Sequence, residues 1–176
     1  SVHYERTTPP YVREAPAVFF RNGKGYVITS GTTGKLPNPS ETATFTDIHG
    51  EWTVLGDPHI NDPKKTSFDS QISCIFKHPH YEDLYIAIAD RWLMDLAEDA
   101  PSGVEYFAAI FDRNYPMSDE RRAEIRKLKM EDISQKNTSI AEYVWLPIRF
   151  ENDTPKIHWQ DEWKIEDVAT GCNVSV

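Results

Sequence analysis

The chain has 176 residues, with 19 Lys and Arg against 28 Asp and Glu, a net charge of −9 and 12% aromatic residues. That length supports one domain with its own core, and the acidic balance argues against a phosphate-backbone partner, so no nucleic acid is expected. No run approaches the roughly 20 apolar residues of a membrane helix, and no signal peptide is legible.

Residues 1–12, which include Thr7-Thr8-Pro9-Pro10, read as an extended lead-in. Arg13-Glu14-Ala15-Pro16-Ala17 then runs into Val18-Phe19-Phe20, predicting a first strand over 17–20. Glu14 stands at the mouth of that apolar strand. A carboxyl group there is expected to be partly desolvated, which suits a proton donor. Glu14 is therefore the leading catalytic candidate. Asn22-Gly23-Lys24-Gly25 predicts a hairpin turn, since Asn-Gly tolerates positive φ, and Tyr26–Ser30 the returning strand. A loop from Gly31 through Pro37, Asn38 and Pro39 leads to strands over 41–46 and 51–55. Four antiparallel strands in about 40 residues is the size of a propeller blade.

A second set begins with residues 68–76, turns at His78-Pro79-His80 and returns over 84–90. It resumes only at 143–150 and 155–159, leaving an insertion at 95–140. Within the insertion, Ser118–Met130 predicts a helix with Ser118 as N-cap, acids in the first turn and bases in the last. Its apolar positions are few, which places it on the surface. Two sheets cannot close a ring, so apolar faces and strand edges are expected to stay exposed unless another portion of chain or a second copy covers them.

Five Trp and eight Tyr suit β-structure and also sugar binding, because flat aromatic faces pack on the apolar faces of pyranose rings. Trp145, Trp159 and Trp163 read most simply as core or blade-closing aromatics rather than ligand contacts. Cys74 and Cys172 imply no disulfide framework. His78 and His80 flank a proline turn, but no histidine pair has metal-ligand spacing on a helix, so no metal and no cofactor are expected.

The ordered strings REAPAVFFRNGKGYVITSGTTG, EWTVLGDP, SFDSQ, IADRW and YVWLPIRFENDTPKIHWQDEW together resemble glycoside hydrolase family 43, in its exo-β-1,3-galactanase-like branch. The likeness spans residues 11–95 and 141–165. It implies an all-β fold: part of a five-bladed β-propeller of four-stranded antiparallel blades, with a helical insertion. The chain would correspond to about blades three to five. The partial propeller then occupies 13–165, and 166–176 is a C-terminal tail.

The resemblance further implies an inverting, exo-acting enzyme on β-1,3-linked galactose in a polysaccharide, in a secreted, periplasmic or cell-surface setting. Glu14 falls on the family's general acid. Gln71, in Ser67-Phe68-Asp69-Ser70-Gln71, falls on the position assigned the base in this branch, facing Glu14 across a gap one sugar wide. A neutral amide is a poor base, so Gln71 reacts through an imidic tautomer or only orients the water. An Asp in the second blade, absent here, adjusts the acid, so these residues alone are expected to turn over little substrate.

Thr33 and Asn38 lie on a loop expected to converge on the binding face; they either bond sugar hydroxyls or satisfy their own turn. Arg91 and Trp92, at the end of an inner strand, either contact substrate or form a structural bridge and packing. Two departures stand out. Gly31-Thr32-Thr33-Gly34-Lys35 replaces the family's Gly-Cys-Thr-Gly-Trp, and Glu142 stands where the family often has Arg. The alternatives are an arabinofuranosidase or xylosidase of the same family, disfavoured by Gln71, and a non-catalytic carbohydrate-binding propeller module.

Overall fold

The computed structural model describes residues 12–129 and 137–169. Strands β1 (Arg13–Arg21) and β2 (Lys24–Gly31) form a hairpin closed by Asn22 and Gly23. Their φ values of 50° and 75° are those a two-residue hairpin demands of both turn positions. β3 (Glu41–Phe45) and β4 (Trp52–Gly56) complete a four-stranded antiparallel sheet in the order β1-β2-β3-β4. All four strands were expected, but β1 starts at Arg13 rather than at Ala17. Its register breaks between Glu14 and Ala17, where Ala15 takes a φ of 49°. Pro16 has no N–H to give the ladder, so the strand bulges there and resumes. Glu14 is thus already paired, opposite Ser30.

The second sheet has five strands rather than four: β5 (His59–Ile60), β6 (Gln71–Lys77), β7 (Tyr85–Arg91), β8 (Glu142–Glu151) and β9 (Thr154–His158), in the order β5-β9-β8-β7-β6. The added strand β5 runs parallel to β9, and the Ile157 N–H donates to the Pro58 carbonyl at 2.8 Å. β6 begins at Gln71, not at Phe68, because Ser67, Phe68 and Asp69 all have positive φ, which a strand cannot hold.

The two sheets share one core, in which Ile28, Ile148 and Ile157 are buried beside an aromatic cluster. Phe19 stacks on Tyr26 at 5.1 Å, meets Tyr85 at 5.3 Å and takes Phe150 edge-on at 6.2 Å. Each ring removes a large apolar area from water, and the buried Tyr85 hydroxyl is satisfied by donating to the Phe20 carbonyl at 2.8 Å. In β2, a Cβ on Gly25 would lie 2.3 Å from the Phe45 ring, so only glycine fits. Val18, Phe20, Tyr143 and Trp145 leave apolar surface open on the outer faces, as the two-sheet pattern predicts. Trp145 and Trp159 are half exposed instead of core, and the Trp163 indole donates to the Trp145 carbonyl at 2.7 Å.

Among the described residues the insertion carries two α-helices, α1 (Gly103–Phe111) and α2 (Asp119–Lys127), and a short 3₁₀ turn at Thr138–Ile140. Ser118 caps α2 as expected, accepting from the Arg121 N–H at 3.1 Å. The helix stops at Lys127, and Met130 lies outside the described residues. The unexpected α1 opens with a reciprocal capping box between Ser102 and Glu105. Helix α2 is not a free surface helix. Arg122 is buried and donates to the Ala108 and Asp112 carbonyls, both at 2.9 Å, closing the carboxyl end of α1. Leu36, Leu93, Tyr106, Ala109 and Ile125 form a second, smaller core that seats the helices on the loop after β2. The expected tail starts as a short helix, α3 (Ile165–Ala169), with Val168 buried. The lead-in up to residue 11, and residues 170–176 with Cys172, lie outside the described residues. Cys74 is free and exposed, and among the described residues no helix is long and apolar enough to cross a membrane.

At the end opposite Glu14, Arg21 joins the sheets. Its guanidinium bonds both oxygens of Asp83 at 2.7 Å, bonds Asp153 at 2.7 Å and lies 4.1 Å over Phe150. The Asp153 carboxyl is held below its ordinary 3.8, first by the hydrogen bond from Lys24 and then by that from Arg21. A folded-state pKa below the unfolded one adds stability above the unfolded value, and that stability is lost as pH falls through the lower folded value. Unfolding measured against pH should therefore show the native chain losing stability below 3.8 more steeply than Asp153→Asn. Equal slopes would show that this contact contributes nothing.

Candidate active site

The amino ends of β1 and β6 and the carboxyl ends of β2 and β7 fall on one edge of the paired sheets, by their register. There the Gln71 Nε2 donates to Glu14 Oε1 at 3.2 Å, joining side chains 57 residues apart. Both are half-buried. The bulge at Ala15 ends the regular ladder just beyond Glu14, and a second register break between Ile72 and Cys74 comes soon after Gln71. Bulges beside a site re-aim side chains off the regular ladder. The contact is closer than the gap expected for an inverting pair, roughly 6.5–9.5 Å between the acting groups. Any ligand entering between the two groups has to turn one side chain away from the other.

Gln71 is presented by an unusual turn. Ser67, Phe68 and Asp69 adopt φ values of 57°, 59° and 55°, three consecutive left-handed residues without a glycine among them. Such a conformation costs about 1–2 kcal/mol per residue. The Asp62 carboxylate offsets part of that cost. Its Oδ2 accepts from the Thr66 and Ser67 N–H groups, both at 2.7 Å, and from Phe68 at 3.4 Å. Nothing in the sequence singled out Asp62 beyond the Asn61-Asp62-Pro63 turn signal.

Asn38 and Thr33 sit nearby but are buried, with 4% and 1% of their surface exposed. Asn38 Oδ1 accepts from the Gly31 N–H at 2.7 Å, while its Nδ2 donates to Thr33 Oγ1 at 2.7 Å and to the Gly31 carbonyl at 3.1 Å. Thr33 Oγ1 in turn donates to the Leu36 carbonyl at 2.7 Å. Their polar atoms hold the loop together, the turn-satisfying alternative. A Cβ on Gly103 would approach the Thr33 side chain to 2.5 Å, so the insertion docks directly on this loop.

Trp92 is 38% exposed and, with Ser30, Gly34, Lys35, Asp69 and Gln71, lines a small pocket at the site. Arg91 is half-buried and lies 5.3 Å over the Trp159 ring, a cation–π placement. It pairs across the strand with Glu142, the departure noted in the sequence. A larger cavity of about 790 Å³ lies beside the site, between the loop before β6 and the insertion, and contains neither Glu14 nor Gln71. His78 Nδ1 accepts from the His80 N–H at 3.3 Å, and no metal-holding group of three or more His, Cys, Asp or Glu occurs among the described residues.

No family model and no curated protein matches the chain. Solved structures do. A family 43 β-1,3-galactosidase superposes with a TM-score of 0.61 at 26% identity, over 88% of this chain and 24% of that one. A second, solved with galactodeoxynojirimycin, gives 0.56 at 25% identity, over 87% of this chain and 32% of that one. The chain resembles part of a family 43 glycoside hydrolase. An exo-β-1,3-galactanase from Clostridium thermocellum shares the fold, with a TM-score of 0.52 at 24% identity over 85% of this chain and 24% of that one. The chain thus spans 24%, 32% and 24% of the length of these three structures.

If Asn38 serves the loop, Asn38→Ala orphans the buried Gly31 N–H and part of the Thr33 hydroxyl, at about 1–3 kcal/mol for each unsatisfied group. Chemical denaturation should show that loss. An unchanged midpoint would return Asn38 to the candidates for sugar contact.

Proposed function

We propose that the chain is part of an inverting glycosidase that removes galactose from the end of a β-1,3-linked galactan. The observation that carries this is the meeting of Glu14 and Gln71 across two sheets, supported by the likeness to family 43 structures. In this reading the two sheets are neighbouring blades of a β-propeller. Further blades would cover the apolar outer faces around Phe20 and Trp145.

Glu14 donates its proton to the leaving glycosidic oxygen. As that bond breaks, charge builds on the ring as an oxocarbenium-like centre, and water attacks from the opposite face. The water needs little proton removal until late, so Gln71 has only to hold it: the amide oxygen accepts one water hydrogen and fixes its line of approach. The proton released once the new C–O bond has formed passes to solvent water, and Glu14 is reprotonated from solvent before the next turnover. At rest the Gln71 amide donates to Glu14; with a sugar between them that bond is given up and the amide turns to the water. Trp92 borders the small pocket beside Gln71, about 20 Å³ and room for about one water, so its flat apolar face meets a galactose ring only once the side chains there move apart. Thr33 and Asn38 support this site through the loop they close, and Arg91 supports it through Trp159.

Glu14→Gln should abolish hydrolysis of a β-1,3-galacto-oligosaccharide while calorimetry shows binding nearly unchanged, in an enzyme where the wild-type sequence is active. Activity surviving that change would remove Glu14 as the acid. The 176 residues alone should release galactose far more slowly than a complete propeller, because two open sheets leave unwalled the side of the site that further blades would cover. Full turnover from this chain would show that no further blades are required.

A further inference from the structure

We propose that Asp62 and Ser67 are positioning residues that fix the Gln71 amide against Glu14 through the left-handed turn; this rests on the reading of Glu14 and Gln71 as the reacting pair. Gln71 opens β6, the edge strand of its sheet, so the sheet holds it from one side only, through Asp90. Its placement depends on the residues that lead into it. Those residues are held from two directions.

From below, one oxygen of the buried Asp62 carboxylate gathers the N–H groups of Thr66, Ser67 and Phe68. Three successive N–H groups converge on one anion only when the backbone curls as this turn does, which explains why non-glycine residues remain left-handed here. From the side, the fully buried Ser67 hydroxyl accepts from the Ser40 N–H at 2.8 Å and donates to the Asn38 carbonyl at 2.8 Å. Ser40 immediately precedes β3, in the sheet that carries Glu14. The turn is therefore tied to the acid's sheet at one residue and opens the strand of Gln71 four positions later. The Ser70 hydroxyl closes it by donating to the Ser67 carbonyl at 2.6 Å. Without the carboxylate the three N–H groups lose their acceptor, the left-handed residues relax, and the entry into β6 rotates the Gln71 amide away from Glu14.

The test uses the chain as it stands. In a ¹⁵N-labelled sample, the Gln71 side-chain amide, assigned by its loss in Gln71→Ala, should show a cross-peak to the Glu14 side chain. Asp62→Ala should remove that cross-peak and move the amide toward an exposed glutamine, while the methyl signals of Ile28 and Ile148 stay in place. Asp62→Asn, whose amide oxygen still accepts, should restore it. Ser67→Gly permits the left-handed backbone but lacks the hydroxyl, and should lose the cross-peak too. If Asp62→Ala unfolds the chain, as displaced methyl signals would report, Asp62→Asn and Ser67→Gly decide. An unmoved Gln71 amide in folded Asp62→Ala or Ser67→Gly overturns the proposal.

Where the wild type hydrolyses the oligosaccharide, Asp62→Ala should lower kcat by roughly tenfold or more with KM within about twofold, and should add nothing to Gln71→Ala. Losses that multiply would mark Asp62 as a general structural residue instead. A complete propeller carrying the wild-type sequence that shows no activity would sink the glycosidase assignment, and the amide resonance would still decide whether Asp62 and Ser67 place Gln71.

Discussion

Glu14 and Gln71 belong to different sheets, so the joint between those sheets sets how far apart they are. The joint is made at both ends and in the middle. Phe19, Tyr26, Tyr85 and Phe150 interlock at the centre, Arg21 clamps Asp83 and Asp153 at one end, and the Ser67 hydroxyl pins the turn before β6 at the other. The contributions differ in kind. Aromatic burial supplies most of the attraction without much direction, whereas buried hydrogen bonds supply direction because leaving them unmade is costly.

Backbone irregularity flanks both proposed reacting groups. Ala15 is left-handed beside Glu14, Ser67–Asp69 are left-handed before Gln71, and each of the two strands breaks register within a few residues of its candidate. Regular strands alternate their side chains to opposite faces, so two groups that must converge on a point between sheets are better aimed by a bulge or a tight turn than by the ladder. Such strain persists only when neighbours over-determine it. Here those neighbours include a buried carboxylate and a serine shared between sheets.

The insertion belongs to this scaffold more than to a free rim. Arg122 closes α1, Ile125 and Tyr106 join Leu36 and Leu93, and Gly103 lets the helix pair approach Thr33 closely. The loop that carries Thr33 and Asn38 is braced from within by its own hydrogen bonds and from outside by the helices. Bracing of that kind engages the polar atoms of both side chains within the loop.

Much of this was legible in the residues. The Asn-Gly turn, the alternating apolar strands, the Ser118 cap and the prominence of Glu14 come from local rules, because hairpin φ values, strand alternation and helix capping depend on near neighbours. Helix α1 was legible too, in the Ser102–Glu105 spacing, but went unpredicted. Other features had no local signal. The fifth strand, the burial of Arg122, the spent hydroxyl of Thr33 and the hold of Asp62 on the turn all depend on partners supplied by packing. Position in the chain alone does not reveal whether a polar group has found such a partner. The sequence by itself determined most of the strand segments and put a carboxyl, Glu14, at the mouth of the first, while Gln71 was marked only through the family resemblance and only the structure put it at the start of its strand. Only the tertiary structure decided that these two meet, since a contact across 57 residues is set by how two sheets and a strained turn fit together.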